Sequence, residues 1–402
     1  MTMRLSAFAL CAAAMMICST AHAQCPLPFD PAGATMISEK GNLMTHCPSI
    51  HITEDGEAYV AYYRDNKQQK EDSNIQSIEM KIIHFPIDSW KNPEIVRQDF
   101  MSCGQTVGRF TQSGRAPYDP VLWKVGGRMQ CIFIGCEGGE PEVVARALNL
   151  RNGKLENKVE HCTLSFPDSD GKKVTVPFSN SGVTRCYAAL GITDAPTQMS
   201  QVDIDKKFIE YDGWLYTVIF SWCCPESRPV IVRTRDCINY DYVFHCPEFI
   251  YGSTEATLAI LDDEFYVHCR SARVENKGRR GTYLGKYSAT GKCLVKPWRI
   301  GTIESRPELV TKGGKVYAIY NVAPNVKYPD GKKTVYRSHV RISLIDKFAQ
   351  TREGWDITSE NSLQYYAVAH HAGKSYIVFV EDRDKVANKS RKGNVSICEL
   401  NI

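Results

Sequence analysis

The chain has 402 residues and carries 49 Lys or Arg against 45 Asp or Glu, a formal net charge of +4 at pH 7. Because this charge is small for the length and the basic residues are scattered, the composition argues against a nucleic-acid partner. Length alone would suggest two or three domains, but the repeats described below lead to a different expectation.

The beginning of the chain has the pattern of a secretory signal peptide, residues 1–23. A basic Arg4 precedes an apolar run over residues 5–17, and residues 21–23 form the small-x-small pattern that a signal peptidase recognises. We therefore expect cleavage near Ala23 and a mature protein that is secreted to the periplasm or the extracellular space. Cys25 follows closely, but the residues before it match poorly the run that precedes a lipidated cysteine. No later segment has the eighteen or so apolar residues needed to span a bilayer.

A strand–turn–strand phrase recurs six times in the rest of the chain. Each copy has an apolar strand, a turn bearing Gly, Asp or Glu, and a second apolar and aromatic strand, which is typical of a β-hairpin. A lone hairpin cannot bury its own apolar faces, so the copies must pack against one another. The copies occupy residues 46–64, 119–135, 207–222, 255–270, 307–321 and 365–381.

This repetition predicts an all-β fold, in which residues 24–402 form a single six-bladed β-propeller with about four strands in each blade. The segment 166–197 is longer than a blade requires. We interpret it as a loop on one rim of the propeller, with a seventh blade as the alternative. Residues 35–39 are expected to supply the outer strand of the last blade and so to close the ring.

Cysteine is abundant, with 16 residues, of which Cys11 and Cys18 lie in the predicted signal peptide. The remaining cysteines belong to a protein bound for an oxidising compartment, so disulfide bonds are expected. The vicinal pair Cys223-Cys224 has no second pair at zinc-site spacing. We therefore predict no metal site, and the sequence indicates no organic cofactor.

Polar residues stand at the ends of several predicted blade strands, and their order is more specific than any one of them. A histidine, His46, opens the first repeat within the phrase His46-Cys47-Pro48-Ser49-Ile50. An acidic residue, Asp72, precedes the next predicted outer strand. Others begin and end the fourth and sixth repeats, and an arginine is expected on an outer strand after the fifth. In chain order these residues are His46, Asp72, Glu255, Arg270, Arg337, Tyr365 and Glu381.

In this order and spacing the chain resembles the sialidase (neuraminidase) superfamily of six-bladed propellers, over most of residues 24–402. The resemblance implies a secreted exo-acting glycoside hydrolase that removes a terminal, acidic sugar such as sialic acid from a glycan. Asp72 would be the acid that protonates the leaving oxygen, Tyr365 the nucleophile and Glu255 the base that accepts its proton. A phenol requires such a partner, because its reference pKa is near 10. Tyrosine nucleophiles are a known exception to two-carboxylate glycosidases.

The other matched residues are implied to bind the substrate. Arg270 and Arg337 correspond to two of the three arginines with which the family grips a carboxylate, and Glu381 would orient the residue in the third place. That residue is His46 here, and the Asp-box turns of the family survive best at residues 234–240. A guanidinium binds a carboxylate bidentately and stays charged, whereas a histidine is charged only when its pKa is raised. The departure at His46 leaves open whether the sugar is sialic acid or another one.

Two further functions fit the same residues. One is a propeller rhamnosidase or polysaccharide lyase centred on His46 as acid or base. The other is a non-catalytic glycan-binding propeller, because this fold hosts enzymes, lectins and scaffolds alike. All three functions share a glycan or oligosaccharide as partner, and the sequence gives no indication of oligomeric state.

Overall fold

The computed structural model describes residues 27–38, 44–65, 78–92, 94, 118–135, 139–192, 201–222, 227–250, 252–271, 280–303, 305–322, 337–359, 361–382 and 393–402. Hydrogen bonding divides the strands of these residues into six sheets, numbered 1 to 6 below along the chain. The sheets are mainly antiparallel and are arranged as a β-propeller. In the described part of the chain, no helix is long and apolar enough to cross a membrane.

Strand β1 (Thr35–Met36) precedes sheet 1 in the chain but belongs to sheet 6. Sheet 1 has three strands, β2 (Met44–Ile52), β3 (Glu57–Asp65) and β4 (Ile78–Pro86). In sheet 2 the three long strands are β5 (Tyr118–Val125), β6 (Arg128–Gly135) and β7 (Glu142–Asn149). Two short strands pair with β7, namely β8 (Lys154–Leu155) and β9 (Glu160–His161).

Sheet 3 is the largest, with seven strands in the order β11-β10-β16-β15-β14-β12 and β13 paired to β14. The strands are β10 (Thr163–Pro167), β11 (Lys173–Pro177), β12 (Gln201–Ile204), β13 (Ile209–Tyr211), β14 (Trp214–Trp222), β15 (Val230–Thr234) and β16 (Asn239–His245). Helix α1 (Asn180–Ala189) follows β11 and packs on this sheet.

Sheets 4 and 5 each have four strands in sequence order. Sheet 4 contains β17 (Ser253–Leu261), β18 (Glu264–Ser271), β19 (Gly281–Ser288) and β20 (Cys293–Gly301). Sheet 5 contains β21 (Glu308–Lys312), β22 (Lys315–Asn321), β23 (His339–Ile345) and β24 (Thr351–Thr358). Sheet 6 contains β25 (Ser362–His371), β26 (Lys374–Asp382), β27 (Gly393–Glu399) and β1.

Two-residue turns join the two strands of the repeated hairpin in five of the sheets, β13 and β14 in sheet 3. Both residues of each turn have positive φ, the backbone of a type I′ turn, whose twist matches that of the flanking strands. Glycine and aspartate tolerate this conformation best, which explains the Gly and Asp in the repeated phrase. The turns are Gly126-Gly127, Asp212-Gly213, Asp262-Asp263, Gly313-Gly314 and Ala372-Gly373.

The apolar core lies between sheets rather than within any of them. Tyr59 and Ile82 of sheet 1 pack with Leu122 and Phe133 of sheet 2, for example, and similar buried clusters join each later sheet to the next. One cluster contains residues of sheets 5, 6 and 1, so apolar packing also joins the last sheet to the first. A single hairpin cannot bury its own apolar faces, and packing between neighbouring sheets buries them.

Pairing between β1 and β27 confirms that the N-terminal segment completes the last sheet. Thr35 pairs with Ile397 and Met36 with Ser396 in antiparallel register. The side-chain oxygen of Ser38 accepts a hydrogen bond of 3.0 Å from the Val395 backbone N–H. Sheet 6 therefore consists of the two ends of the described chain.

Other expectations on the fold require correction. Five sheets have four or more strands, but sheet 1 has only three among the described residues, so the predicted four-stranded blades are not all found. Residues 166–192, the described part of the segment 166–197, form neither a rim loop nor a seventh blade. Their hairpin β10–β11 extends sheet 3, because β10 pairs in parallel with β16, and α1 follows it. The N-terminal signal sequence lies outside the described residues.

The expected disulfide bonds are not found in the described part of the chain. All nine described cysteines are free thiols, and eight of them are buried. Several of these thiols lie in different clusters between the sheets and so do not contact one another. The oxidising compartment that the sequence indicates is therefore not enough to predict disulfide bonds. The vicinal pair Cys223-Cys224 lies outside the described residues.

Candidate active site

Each sheet contributes one residue at the same point of its first hairpin, three positions before an apolar residue such as Ile50 or Leu122. None of the six is more than 4% exposed. We call this set the axial ring: Cys47, Asp119, Asp205, Glu255, Arg306 and Tyr365.

Backbone bulges present four of the axial-ring residues. The strand register shifts between His46 and Ser49, Tyr118 and Val121, Thr254 and Thr257, and Gln364 and Ala367. A β-bulge redirects a side chain, and left-handed backbone is uncommon for residues other than glycine. The residues at these bulges and their φ angles are Cys47 at +46°, Asp119 at +49°, Glu255 at +46° and Tyr365 at +56°.

Contacts between sheets that are not neighbours show that the ring meets at the propeller axis. Arg306 of sheet 5 donates from Nη1 to Asp119 Oδ2 of sheet 2 at 2.8 Å. Its Nη2 lies 3.9 Å from Asp205 Oδ1 of sheet 3. Burial raises the pKa of the Cys47 thiol, and the charges of Asp119, Arg306 and Glu255 all act on it as well. The four charged residues therefore surround one small volume with Cys47.

One side of the site is aromatic and is built around His46. Its ring centroid lies 3.9 Å from that of Tyr365, and its Nδ1 lies 2.7 Å from the Tyr63 hydroxyl. The guanidinium carbon of Arg337 lies 6.0 Å from the Tyr365 ring centroid, within the range of a cation–π interaction. Arg337 also donates to the side chain of Gln364. Three residues predicted for the site, His46, Tyr365 and Arg337, are thus adjacent.

Glu255 and Arg270 form a buried ion pair on the opposite sheet. Arg270 Nη1 donates to Glu255 Oε2 at 2.5 Å, and the two side chains are 12% and 3% exposed. Such a charge-assisted bond is about twice as strong as a neutral one. The bulge at Glu255 places the carboxylate beside an arginine of the adjacent strand β18, and this pairing fixes the position of the carboxylate.

A second acidic centre consists of Asp119 and Asp203. Burial would raise the pKa of Asp119, but the Arg306 charge together with hydrogen bonds from Asp203, Cys47 and Arg306 keeps that pKa below its ordinary value. Burial and the adjacent Asp119 charge raise the pKa of Asp203 well above its ordinary value. The raised pKa of Asp203 beside the lowered pKa of Asp119 favours a proton held on Asp203 and shared with Asp119. Two carboxyl groups in direct hydrogen bond are closer than the roughly 5 Å that separates the pair in a retaining glycosidase, so this pair alone does not match that arrangement.

Beneath the axial ring lies a buried layer of charges made by Lys206, Lys207 and Glu308. Glu308 Oε1 accepts from Lys207 Nζ, and Lys206 Nζ lies 3.8 Å from Glu308 Oε2. Lys206 also donates to the backbone carbonyl of Tyr366, on the far side of the axis. The side chains of Lys206 and Glu308 are 0% exposed, so this layer separates the site from the other end of the axis.

The remaining predicted residues are placed as follows. Asp72 lies outside the described residues. Glu381 lies near the end of β26 opposite Leu363, and its Oε1 accepts from Asn361 Nδ2 at 2.7 Å. The prediction that Arg337 is on an outer strand is wrong, because it precedes β23, the third strand of sheet 5. Its side chain still reaches the site because its backbone is left-handed, with φ +67°.

Sequence reasoning missed Asp119, Asp203, Asp205 and Arg306. A usable signal was present in the repeats, since Asp119 opens the second copy and corresponds to Glu255 in the fourth. Cys47, Asp119 and Arg306 are each followed by proline, which marks the same turn of the backbone in three sheets. Alignment of the six phrases on this position identifies the whole axial ring.

No group of three or more His, Cys, Asp or Glu side chains among the described residues is arranged to hold a metal ion. The acidic residues of the site are instead paired with Arg270, Arg306, Lys206 and Lys207. What the described arrangement can do chemically is hold an ionised carboxylate, a phenol and guanidinium groups around one buried volume.

No family model matches this chain, and no curated protein matches it in sequence. Solved structures do match in three dimensions. The chain is similar to a Dyadobacter fermentans protein of unknown function, with a TM-score of 0.56 and 12% identity over 92% of this chain and 98% of that one.

Two glycoside hydrolases are also similar. For the Penicillium chrysogenum α-L-arabinanase, solved with arabinobiose, the TM-score is 0.52 at 11% identity, over 92% of this chain and 98% of that one. The Trypanosoma rangeli sialidase gives a TM-score of 0.52 at 11% identity and covers 88% of this chain. This chain spans only 54% of the length of that sialidase. At these identities the likeness shows the fold, a β-propeller that glycoside hydrolases use.

Proposed function

We propose that this chain is a secreted glycoside hydrolase that cleaves a terminal sugar at the axial ring, on a propeller whose six sheets are its six blades. The observation that carries the proposal is the set of four left-handed bulges, which aim Cys47, Asp119, Glu255 and Tyr365 at one buried volume. Strained backbone at equivalent positions of separate sheets is typical of functional sites. Packing alone gives no reason to repeat it.

In the proposed reaction Tyr365 is the nucleophile. Its ring is held between His46 and Arg337, so the phenol has a fixed position, and a nearby guanidinium stabilises the phenolate. Glu255, held in place by Arg270, accepts the phenol proton. The Tyr365 oxygen then bonds to the anomeric carbon as the glycosidic bond breaks, and Asp72 protonates the leaving oxygen. Water later cleaves the glycosyl–tyrosine bond.

Substrate binding is proposed for the cationic and acidic groups that surround the nucleophile. Arg270 and Arg337 favour a sugar with an anionic group. Ionised Asp119 is suited to accept hydrogen bonds from hydroxyl groups of the sugar. His46 takes the place of a third arginine, and Glu381 holds the adjacent part of sheet 6. A sugar acid other than sialic acid suits a site in which only Arg270 and Arg337 stand for the family's three carboxylate-binding arginines.

Hydrolysis of aryl glycosides by the full mature chain tests this proposal. The panel contains the α-sialoside, uronides and the α-rhamnoside. Tyr365→Phe should lower kcat by at least about a hundredfold, because it removes the nucleophilic oxygen. Tyr366→Phe is the matched control, since that neighbouring hydroxyl donates to the Leu363 carbonyl and serves packing.

Three results would contradict the assignment. Full activity in Tyr365→Phe would exclude the phenol as nucleophile. Loss of activity only in His46→Ala would favour the rhamnosidase or lyase mechanism centred on the histidine. Binding of these glycosides without release of the aryl group would favour a glycan-binding protein. Sequencing the N-terminus of the exported protein tests cleavage near Ala23.

A further inference from the structure

A second cavity lies at the other end of the propeller axis. It has a volume of about 580 Å³, within the usual range for small-molecule sites. Its walls come from the repeated hairpins of all six sheets, mostly at positions three or more residues beyond the axial ring, such as Ile50, Phe208 and Leu309, with Lys207 two residues beyond it. At about 3.3 Å per strand residue, three residues correspond to about 10 Å further along the axis.

The charged layer separates this cavity from the candidate active site. Lys206 and Glu308 are wholly buried, whereas Lys207 is 16% exposed and lines the cavity. The two sites therefore open on opposite ends of the axis. A function for the cavity does not depend on the hydrolase proposed above.

Lys207 presents a polar group to the cavity. A lysine ammonium has three N–H donors. Among the described residues, Glu308 Oε1 and the Leu309 carbonyl accept two of them. The third donor is left for a group inside the cavity, and the ammonium is already held in place by its other two bonds. A preorganised charged donor of this kind suits a carboxylate oxygen.

Aromatic rings form the adjacent wall. The Trp123 ring centroid lies 4.7 Å from that of His51 and 5.7 Å from that of Phe208. These residues come from three successive sheets, and all three line the cavity. Together the three rings form a surface about one ring wide, against which a flat or apolar part of a ligand can pack.

Two lysines and two glutamates line the cavity together with His51. Burial and, to a smaller extent, the Lys124 charge lower the pKa of His51 to about 4, so the imidazole is neutral at pH 7. Lys124, Glu54 and Glu210 are all exposed, so solvent screens their charges. Lys207 is the charged group at the buried end.

We propose that this cavity binds a small organic carboxylate with a ring-shaped or apolar body. The carboxylate accepts from Lys207 at the buried end, and the body packs against Trp123 and Phe208.

Calorimetric titration of the full chain tests the site with two carboxylates, phenylacetate and glucuronate. Glucose and inorganic phosphate are the comparison probes, since the first lacks the charge and the second lacks the body. At least one carboxylate should bind more tightly than both. Trp123→Ala and Lys207→Met should each weaken that binding about tenfold or more. Lys292→Met, at an exposed lysine outside the cavity, should leave it unchanged.

The Tyr365→Phe and Arg337→Met variants separate the two sites. Carboxylate binding that survives both changes and weakens in Trp123→Ala supports the proposal, whether or not the chain hydrolyses glycosides. Binding that disappears with Arg337→Met instead places the anion in the candidate active site and overturns it. Equal binding of phosphate, or no binding of either carboxylate, also overturns it. Lys207→Met leaves buried Glu308 with one partner fewer. If the Lys207→Met variant does not fold for this reason, the result of Trp123→Ala decides the test.

Discussion

Replacing Arg306 with methionine should destabilise the protein much more than its two hydrogen-bonded contacts suggest. Arg306 is 1% exposed and donates to Asp119 Oδ2 at 2.8 Å and to the Ile204 carbonyl at 3.0 Å. Methionine keeps most of the apolar stem and removes only the guanidinium. Asp119 is then a buried carboxylate without its cation, a change that costs about 3–5 kcal/mol in comparable buried pairs.

The matched control is Arg352→Met. Arg352 Nε lies 2.7 Å from Asp346 Oδ2, almost the same separation, but the arginine side chain is 59% exposed. An exposed pair contributes about 0–1 kcal/mol. Urea unfolding followed by tryptophan fluorescence should show a midpoint lower by about 1 M or more for Arg306→Met and nearly unchanged for Arg352→Met.

The pH dependence of the effect has a definite sign. In the wild type the pKa of Asp119 lies below its ordinary value of 3.8, so its ionised form adds stability above that pH and the contribution is lost in acid. Without Arg306, burial raises the folded-state pKa above the unfolded value, and protonation at lower pH relieves the penalty. The stability difference between Arg306→Met and wild type should therefore shrink from pH 7 to pH 5.

Adding Asp119→Asn should also restore part of the stability that Arg306→Met loses. Equal losses for the two arginine variants at pH 7, or a difference that grows in acid, would refute this reasoning.

Two other predictions concern packing and thiol reactivity. A Cβ on Gly182 of α1 would lie 1.9 Å from the Pro177 carbonyl oxygen. Gly182→Ala should therefore overpack this contact, destabilise the protein by about 1–3 kcal/mol and lower its thermal midpoint. An unchanged midpoint would show that α1 does not pack so closely on β11. Of the nine described cysteines only Cys293 is not buried, so brief iodoacetamide treatment of the native protein should label Cys293 ahead of the other eight by peptide mass spectrometry. Earlier labelling of Cys47 would contradict the burial of its thiol.

Much of the fold was predictable because hairpin phrases are local patterns. The apolar alternation and the Gly and Asp turns identify the hairpins, and the closing role of residues 35–39 follows from the need to finish the last sheet. The parallel pairing of β10 with β16 was not predictable, since Thr163 and Asn239 are far apart in sequence and nothing local marks their register. The prediction of disulfide bonds was wrong for a related reason. The redox compartment of a protein does not determine the distances between its cysteines in the fold.

The candidate site was predictable only in part. The residues that match a known family order, such as His46 and Tyr365, are adjacent in space. The Arg306–Asp119 pair connects positions in different repeats, and a lone carboxylate or guanidinium in a polar phrase gives no sign that it will be buried. Comparing the repeats with one another, rather than with a family, identifies these residues.

The pairing of β1 with β27 has a consequence for how the protein reaches this structure. Thr35 cannot meet Ile397 until the chain has been synthesised as far as β27, so the first described strand waits for the last described one. Contacts of such sequence separation form slowly, because a very long loop must close before they contribute. Until then sheet 6 has an uncovered edge at β27, which invites pairing with another chain. Ring closure is thus the step at which folding of this propeller is most exposed to aggregation.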